Sequence, residues 1–186
     1  MKHIFDLTDK VALITGGAAG IGFGIAEQFI DLGAKVVITD LFQDKLDEAK
    51  SILVGNCYTY VNNVTKKELH ESLIEDIQSK IGPLDILVNN AGRHCKKPSI
   101  ETTDEEFQAV IDTNLNSVFA LTRAALKYMI PNKNGSIINI SSMSAIFGLT
   151  EVVAYSSSKT ALLGLTRTLA SEYSHHGIRI NAIAPG

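Results

Sequence analysis

The feature that most constrains the fold is a glycine-rich turn between a strand pattern and a helix pattern near the N-terminus. Val11–Thr15 is a short apolar run bounded by glycines, which predicts a buried strand. Gly16–Gly22 (Gly-Gly-Ala-Ala-Gly-Ile-Gly) follows directly, and from Ile21 apolar residues recur at helical spacing. Such a turn brings bare backbone amides and the positive end of a helix dipole to one point, which suits a pyrophosphate.

An acidic residue follows at the distance that a dinucleotide site requires. The second strand pattern, Lys35–Thr39, ends at Asp40, eighteen residues after Gly22. A carboxylate there can accept hydrogen bonds from both ribose hydroxyls of an adenosine, and it repels a 2′-phosphate. The glycine turn contains no Arg or Lys, and the residue after Asp40 is not Arg or Lys either. The spacing therefore predicts a dinucleotide site that takes NAD in preference to NADP.

Strand and helix patterns alternate along the rest of the chain without a low-complexity break. The strand patterns fall at 11–15, 35–39, 57–61, 84–88, 136–141 and 178–183. The helical patterns cover about 21–32, 43–53, 65–80, 103–130 and 155–175, with capping boxes predicted at Thr65/Glu68 and Thr103/Glu106. This alternation predicts a three-layer α/β fold: a doubly wound parallel sheet (Rossmann fold) in a single dinucleotide-binding domain, residues 1–186.

Composition excludes several other classes of protein. The net charge of −3 and pI near 5.9 argue against nucleic-acid or membrane-surface partners. No apolar run approaches the ~18 residues of a membrane span, and the N-terminal stretch lacks the apolar segment of a signal peptide. The two cysteines have no disulfide or metal spacing, and we expect no metal site. The expected location is the cytoplasm.

The most telling chemical feature is the pair Tyr155 and Lys159. Residues four apart lie on the same face of a helix. A free phenol titrates near ~10, and a fixed positive neighbour lowers that pKa toward neutrality. The pair therefore predicts a tyrosine that exchanges protons with a substrate.

Taken in order, these motifs resemble the short-chain dehydrogenase/reductase family, and the resemblance covers essentially the whole chain. The residues that carry it are Thr15–Gly22, Asn89-Asn-Ala-Gly92, Asn114 in Asp-Thr-Asn-Leu-Asn, Ser142 in Ile-Ser-Ser-Met, the pair Tyr155 and Lys159, and Asn181-Ala-Ile-Ala-Pro-Gly186. Ser142 is chosen over Ser141 because the family serine stands thirteen residues before the tyrosine.

The resemblance implies a role for each member of a catalytic tetrad. Tyr155 would exchange a proton with the substrate oxygen, and Ser142 would hold that oxygen. Lys159 would lower the pKa of the tyrosine and bind the nicotinamide ribose. Asn114 would position a water in a proton relay. Without the resemblance, Asn114 reads more simply as a helix asparagine bonded to nearby backbone.

The resemblance also implies a set of cofactor contacts. They are Thr15, Gly16, Gly20, Ile21, Gly22, Asp40, Asn63, Val64, Asn90, Ala91, Gly92, Tyr155, Lys159, Pro185 and Gly186. Asn63 stands where the family often has an aspartate that touches the adenine. Its amide can still donate and accept hydrogen bonds.

Family members continue beyond the position of Gly186 into a substrate loop, a further helix and a seventh strand. We therefore expect a chain that lacks these elements, either as a fragment or as a truncated form. Strand six would then be an open apolar edge of the sheet.

The small-molecule substrate is less constrained. Arg93–Lys97 (Arg-His-Cys-Lys-Lys) should lie at the rim of the site, where it either attracts an anionic substrate or is a solvated loop. Relatives with such a loop resemble gluconate 5-dehydrogenase, which suggests a sugar, sugar acid or polyol. The alternative is a 3-oxoacyl-carrier-protein reductase, against which Asp40 counts. An alternative of another class is an NAD-binding non-catalytic subunit or sensor, against which Ser142, Tyr155 and Lys159 count.

The family also suggests self-association. The helical patterns at 103–130 and 155–175 carry more apolar positions than one sheet face needs, and relatives pair these helices across a two-fold axis. We expect a homo-oligomer, at least a dimer. The surplus positions are Val118, Phe119, Leu121, Leu162, Leu163 and Leu165.

Overall fold

Six parallel strands form the centre of the molecule. A computed structural model describes residues 5–186 of the chain. The strands are β1 (Val11–Thr15), β2 (Lys35–Asp40), β3 (Cys57–Val61), β4 (Leu84–Asn89), β5 (Gly135–Ile140) and β6 (Ile178–Ile183). Their order in the sheet is β3-β2-β1-β4-β5-β6, and every pairing is parallel. The chain order reverses between β1 and β4, which opens a crevice at their carboxyl ends.

Residues 5–186 form six α-helices. They are α1 (Gly20–Asp31), α2 (Gln43–Ile52), α3 (His70–Lys80), α4 (Asp104–Ile111), α5 (Ser117–Asn132) and α6 (Val153–Tyr173). Helices α1 and α2 contact β1–β3 on one face, whereas α3, α5 and α6 contact β4–β6 on the other. The predicted doubly wound α/β sheet is confirmed. None of the helices in the described range is long and apolar enough to cross a bilayer.

The six strand predictions are confirmed within one residue at either end. β1 is fully buried, as are the four central residues of β2. Strands buried on both faces are continuous apolar runs of Val, Ile and Leu, which are easy to recognise in a sequence. Each face of the sheet builds its own apolar cluster, one around Leu13 and Leu87 and the other around Ile14 and Val88.

The helix prediction for 65–80 is wrong at its start. Thr65 does not cap a helix, because its backbone N–H and its hydroxyl both donate to Asn63 Oδ1, at 3.0 and 2.8 Å. This local Asx turn competes with a capping box. A short 3₁₀ turn at Lys67–Leu69 follows, and the α-helix begins at His70.

The prediction of one helix over 103–130 is also wrong in its interior. The capping box at Thr103 and Glu106 is confirmed. However, a π-helical segment, Asp112–Asn116, separates α4 from α5, which then runs on to Asn132. Asn114 lies inside this segment rather than in a regular helix. Single π turns inside α-helices are frequent at functional sites.

Three of the six apolar positions expected to remain for self-association belong to the core. Val118, Leu121 and Leu162 are buried within the chain. Leu165 is partly buried against the same core cluster, and Phe119 is exposed. The surplus of apolar residues on these helices is therefore smaller than the pattern suggested.

Candidate active site

The glycine turn after β1 is shaped by close backbone approach. Gly16 has a φ of +62°, which disfavours any side chain, and a Cβ there would lie 3.0 Å from Ala91 Cα. A Cβ on Gly22 would lie 2.3 Å from the Gly16 carbonyl oxygen, an impossible contact. Gly20, at φ +55°, has open space beside it. The turn is thus packed tightly on its inner side and open on the side where a ligand would approach.

Thr15 and Asn90 hold this turn against the end of β4. The Thr15 hydroxyl accepts hydrogen bonds from the backbone N–H groups of Asn90 and Ala91, at 3.1 and 3.0 Å. Asn90 Nδ2 donates to the carbonyls of Thr15 and Gly16, both at 2.9 Å. In this structure both side chains fix the crevice floor. Their predicted contact with a cofactor stays a prediction.

The N-terminus of α1 faces the open side of the turn. Its N-cap residue, Ala19, makes no side-chain cap, and the first turn contains no acidic residue. The first amides of the helix therefore lack a side-chain partner and can receive an anion. Asp40 stands at the end of the neighbouring strand β2, where one of its oxygens accepts from the Leu41 N–H at 2.8 Å.

A second wall of the crevice follows β3. Asp40, Asn63 and Val64 line one cavity of about 450 Å³, together with Gly16 and Gly92. Buried His70, on α3, contacts the Val64 carbonyl through Nε2 at 3.0 Å and so supports this wall. Burial lowers the pKa of His70, which favours the neutral ring. The sequence analysis did not single out His70.

Three of the four predicted catalytic side chains line an adjoining cavity of about 560 Å³. Ser142, Tyr155 and Lys159 line it, together with Ala91, Gly92, Pro185, Gly186 and other residues of the crevice. The Ser142 hydroxyl accepts from the Ser144 N–H at 3.1 Å, so its own proton is left to donate to a substrate oxygen. Among the described residues, the Tyr155 hydroxyl has no protein hydrogen-bond partner. Both hydroxyls are therefore available to a ligand.

Lys159 is buried beneath the tyrosine. Its Nζ donates to the Ile140 carbonyl at 2.6 Å and lies 5.6 Å from the centroid of the Tyr155 ring. Burial lowers the pKa of Lys159 to about 8, because the low-dielectric surroundings penalise the charged form. The ammonium thus still predominates at pH 7.

Asn114 bonds mainly to the backbone of the rim loop. Its Oδ1 accepts from the Arg93 N–H at 2.7 Å, and its Nδ2 donates to the Arg93 carbonyl and to Ser158 Oγ, at 2.9 and 3.0 Å. The side chain therefore holds the rim loop to the π segment. The water relay stays a prediction, and the space beside Gly92, which faces both Asn114 Oδ1 and Lys159 Nζ, is the position for it.

Comparison with known proteins agrees with this geometry. The short chain dehydrogenase family model matches residues 10–186. A 3-oxoacyl-[acyl-carrier-protein] reductase of Thermotoga maritima is 40% identical over 184 residues, which are 97% of this chain and 74% of that protein. A 5-keto-D-gluconate 5-reductase of Escherichia coli is 37% identical over 189 residues, covering all of this chain and 74% of that protein.

The fold comparison leads to the same group of proteins. A crystal structure of a short chain dehydrogenase from Bacillus anthracis superimposes with a TM-score of 0.92 at 37% identity, covering 95% of this chain and 76% of that one. The class defined by fold and site is an oxidoreductase that acts on CH–OH groups with a nicotinamide dinucleotide. The chain belongs to the short-chain dehydrogenase family.

Proposed function

We propose that this chain is an NAD(H)-dependent oxidoreductase that interconverts a secondary alcohol and a ketone, with residues 1–186 acting as one dinucleotide-binding domain. The observation that carries the proposal is the arrangement of one crevice. Ser142, Tyr155 and Lys159 line the same cavity as Asp40 and the glycine turn. A dinucleotide that runs from Asp40 past the turn would bring its nicotinamide end to the tyrosine.

The residues present fit such a cofactor. The close-packed glycines leave room only for backbone on the inner side of the turn, and the α1 amides would receive the pyrophosphate. Asp40 would accept from the adenosine ribose, with Asn63 and Val64 beside the adenine and Ala91 beside the nicotinamide ribose. The remaining predicted contacts are Thr15, Gly16, Gly20, Ile21, Gly22, Asn90, Gly92, Tyr155, Lys159, Pro185 and Gly186.

The chain's own groups would then handle the proton and the developing charge, while the bound nicotinamide supplies the hydride chemistry. Tyr155 would take the proton of the alcohol during oxidation or return it during reduction. Ser142 would donate a hydrogen bond to the substrate oxygen as its charge develops. The Lys159 ammonium would stabilise the phenolate, and Asn114 would position a water in a proton relay toward Lys159.

The preference for NAD is expected to rest on Asp40. A 2′-phosphate would lie close to its carboxylate, and like charges at such separations cost of order 1–4 kcal/mol, depending on the local dielectric. Replacing Asp40 with Ala, with Leu41→Arg as an added cation, should move the preference toward NADP. Calorimetric titration of both cofactors into wild type and variants measures this. Equal wild-type affinity for the two would refute the assignment.

The substrate that we favour is a sugar, sugar acid or polyol, in line with the similarity to the 5-keto-D-gluconate 5-reductase of Escherichia coli. A 3-oxoacyl thioester is the second candidate, because the Thermotoga maritima reductase is at least as similar. A screen of sugar acids, polyols and acetoacetyl thioesters with NAD(H) and NADP(H) separates the two. Cofactor binding without turnover of any of them would favour a non-catalytic role.

A further inference from the structure

The rim segment Arg93–Lys97 is held at both ends. At one end, the Arg93 N–H and carbonyl both bond to the Asn114 side chain. At the other end, the Lys97 N–H donates to the Glu151 carbonyl at 2.8 Å. A loop anchored in this way has a fixed backbone, so a ligand that binds it loses little backbone conformational entropy.

His94 lies against the catalytic tyrosine. The centroids of the His94 and Tyr155 rings are 4.9 Å apart, with the ring planes inclined at 40°. Arg93, His94 and Ser142 line the same cavity as Tyr155. A substrate whose reacting oxygen lies between Tyr155 and Ser142 would thus share this cavity with Arg93 and His94. Arg93 also lines the neighbouring cavity of Asp40 and Asn63.

The charges of the cavity are unequally distributed. Arg93 and Lys159 are its cationic side chains, and its one side-chain carboxylate among the described residues, Asp40, stands at the proposed adenosine end. Lys97 is not a free cation, because it forms an ion pair with Glu106 at 2.7 Å. Arg93, in contrast, forms no ion pair with any residue in the range 5–186. Its guanidinium suits bidentate binding of a carboxylate.

We propose, on the basis of the dehydrogenase function above, that Arg93 and His94 bind a carboxylate on the substrate. The site would thereby select hydroxy acids and keto acids over neutral polyols and thioesters. Arg93 would form the charged contact, and the His94 ring would donate a second hydrogen bond while it packs on Tyr155. The specificity of the reaction is thus assigned to two adjacent residues of the rim.

The kinetic test uses two pairs of ketones that differ only in a carboxylate replaced by CH₂OH. The pairs are 5-keto-D-gluconate with L-sorbose and acetoacetate with 4-hydroxy-2-butanone. With NADH, wild type should show a higher kcat/KM for the acid in at least one pair, and Arg93→Gln should reduce that ratio about 10–100-fold, the usual effect of losing a hydrogen bond to a charged group. His94→Gln should reduce the same ratio to a smaller extent.

Lys96→Gln is the matched control, since it removes one charge from the same loop at a side chain outside the cavity. If general electrostatic attraction caused the preference, Lys96→Gln and Arg93→Gln would have equal effects, and the proposed contact would be refuted. An acid-to-neutral ratio near one in wild type for both pairs would refute it as well, while leaving the dehydrogenase function in place.

A binding experiment tests the inference independently of turnover. D-gluconate and D-glucitol are titrated into NAD-saturated Tyr155→Phe protein, with and without Arg93→Gln. We expect tighter binding of gluconate and loss of that preference with Arg93→Gln. If wild type reduces no ketone, the dehydrogenase proposal fails, and this titration still decides whether the rim binds a carboxylate. Equal binding of the two probes would overturn the rim assignment.

Discussion

At the scale of single residues, Lys159 combines a functional charge with a cost in stability. Only 4% of its surface is exposed, and its pKa is lowered to about 8 by burial. In the unfolded chain a lysine titrates near ~10.4. Between these two values the unfolded state binds more protons, so this residue makes stability rise with pH. Below about pH 8 the full cost of burying the charge is present.

Lys159→Met should therefore change stability in a pH-dependent way. The variant buries no charge. Its free energy of unfolding, compared with that of wild type, should therefore be higher at pH 7 than at pH 10. Urea denaturation of both proteins at the two pH values measures the difference. Catalysis should be lost at both. A stability difference that stayed constant from pH 7 to 10 would contradict the assigned pKa.

The sequence predicted residues that line the cavity but not the groups that position them. The pair Tyr155 and Lys159 was predicted from helical spacing, and Ser142 from the resemblance to the family. The contacts of His94 with Tyr155 and of Asn114 with Arg93 join parts of the chain that are far apart. No periodicity in the sequence encodes such contacts, because they depend on how two loops pack.

At the scale of elements, a buried polar network joins the centre of the sheet to two helices. Asn89 Nδ2 donates to Asn139 Oδ1 at 2.8 Å, and Asn139 Nδ2 donates to Thr166 Oγ1 at 2.9 Å. Asn89 Nδ2 also donates to Thr122 Oγ1 at 3.1 Å. The network connects β4 and β5 with α5 and α6. Thr122 and Thr166 look in the sequence like ordinary helix residues, so nothing there indicates this role.

Asn139→Ala should destabilise the fold strongly. The change removes the acceptor of one Asn89 Nδ2 hydrogen bond and the donor of the hydrogen bond to Thr166 Oγ1. Each buried group that loses its partner costs about 1–3 kcal/mol of stability. Ser136→Ala, on the same strand but with an exposed partner in Arg179, is the control and should change stability by less than about 0.5 kcal/mol. Chemical denaturation of the three proteins measures both effects. Equal, small losses would show that the network contributes little.

The two helix errors also belong to this scale. Apolar spacing predicts that a helix exists, but it does not register a π turn such as Asp112–Asn116, because helical residues continue on both sides of the segment. The start of α3 was mispredicted because a side chain two residues away, Asn63, took the hydrogen bonds of Thr65. The strands were predictable because burial on both faces leaves a continuous apolar run.

At the scale of the whole molecule, a groove between α5 and α6 is the surface that we expect to self-associate. Phe119, Leu126 and Ile130 of α5 line it opposite Leu169 and Tyr173 of α6. Phe119 is 42% exposed and lies under the Arg123 guanidinium, 5.3 Å from its ring centroid. An apolar groove with an aromatic residue at its edge is suited to a two-fold contact between identical chains.

We predict that the wild-type chain is at least a dimer and that Phe119→Glu weakens it. A carboxylate placed in an apolar contact must be desolvated, which disfavours association. Ile52→Glu, at an exposed position on the distant helix α2, should leave the mass unchanged. Light scattering at micromolar concentration measures all three. A monomeric wild type would contradict the prediction, and equal masses for wild type and Phe119→Glu would place the contact elsewhere.

The central claim is that Tyr155 carries the proton in an NAD-dependent reaction, and Tyr155→Phe tests it most directly. The change keeps the ring and removes the exchangeable proton, so NAD affinity measured by calorimetry should be nearly unchanged. Turnover of the best substrate, followed as NADH absorbance, should fall about 10²–10⁴-fold, the usual contribution of general acid–base catalysis. Turnover by Tyr155→Phe at the wild-type rate would contradict the assignment of proton transfer to Tyr155. Only the proposed binding of NAD would then remain.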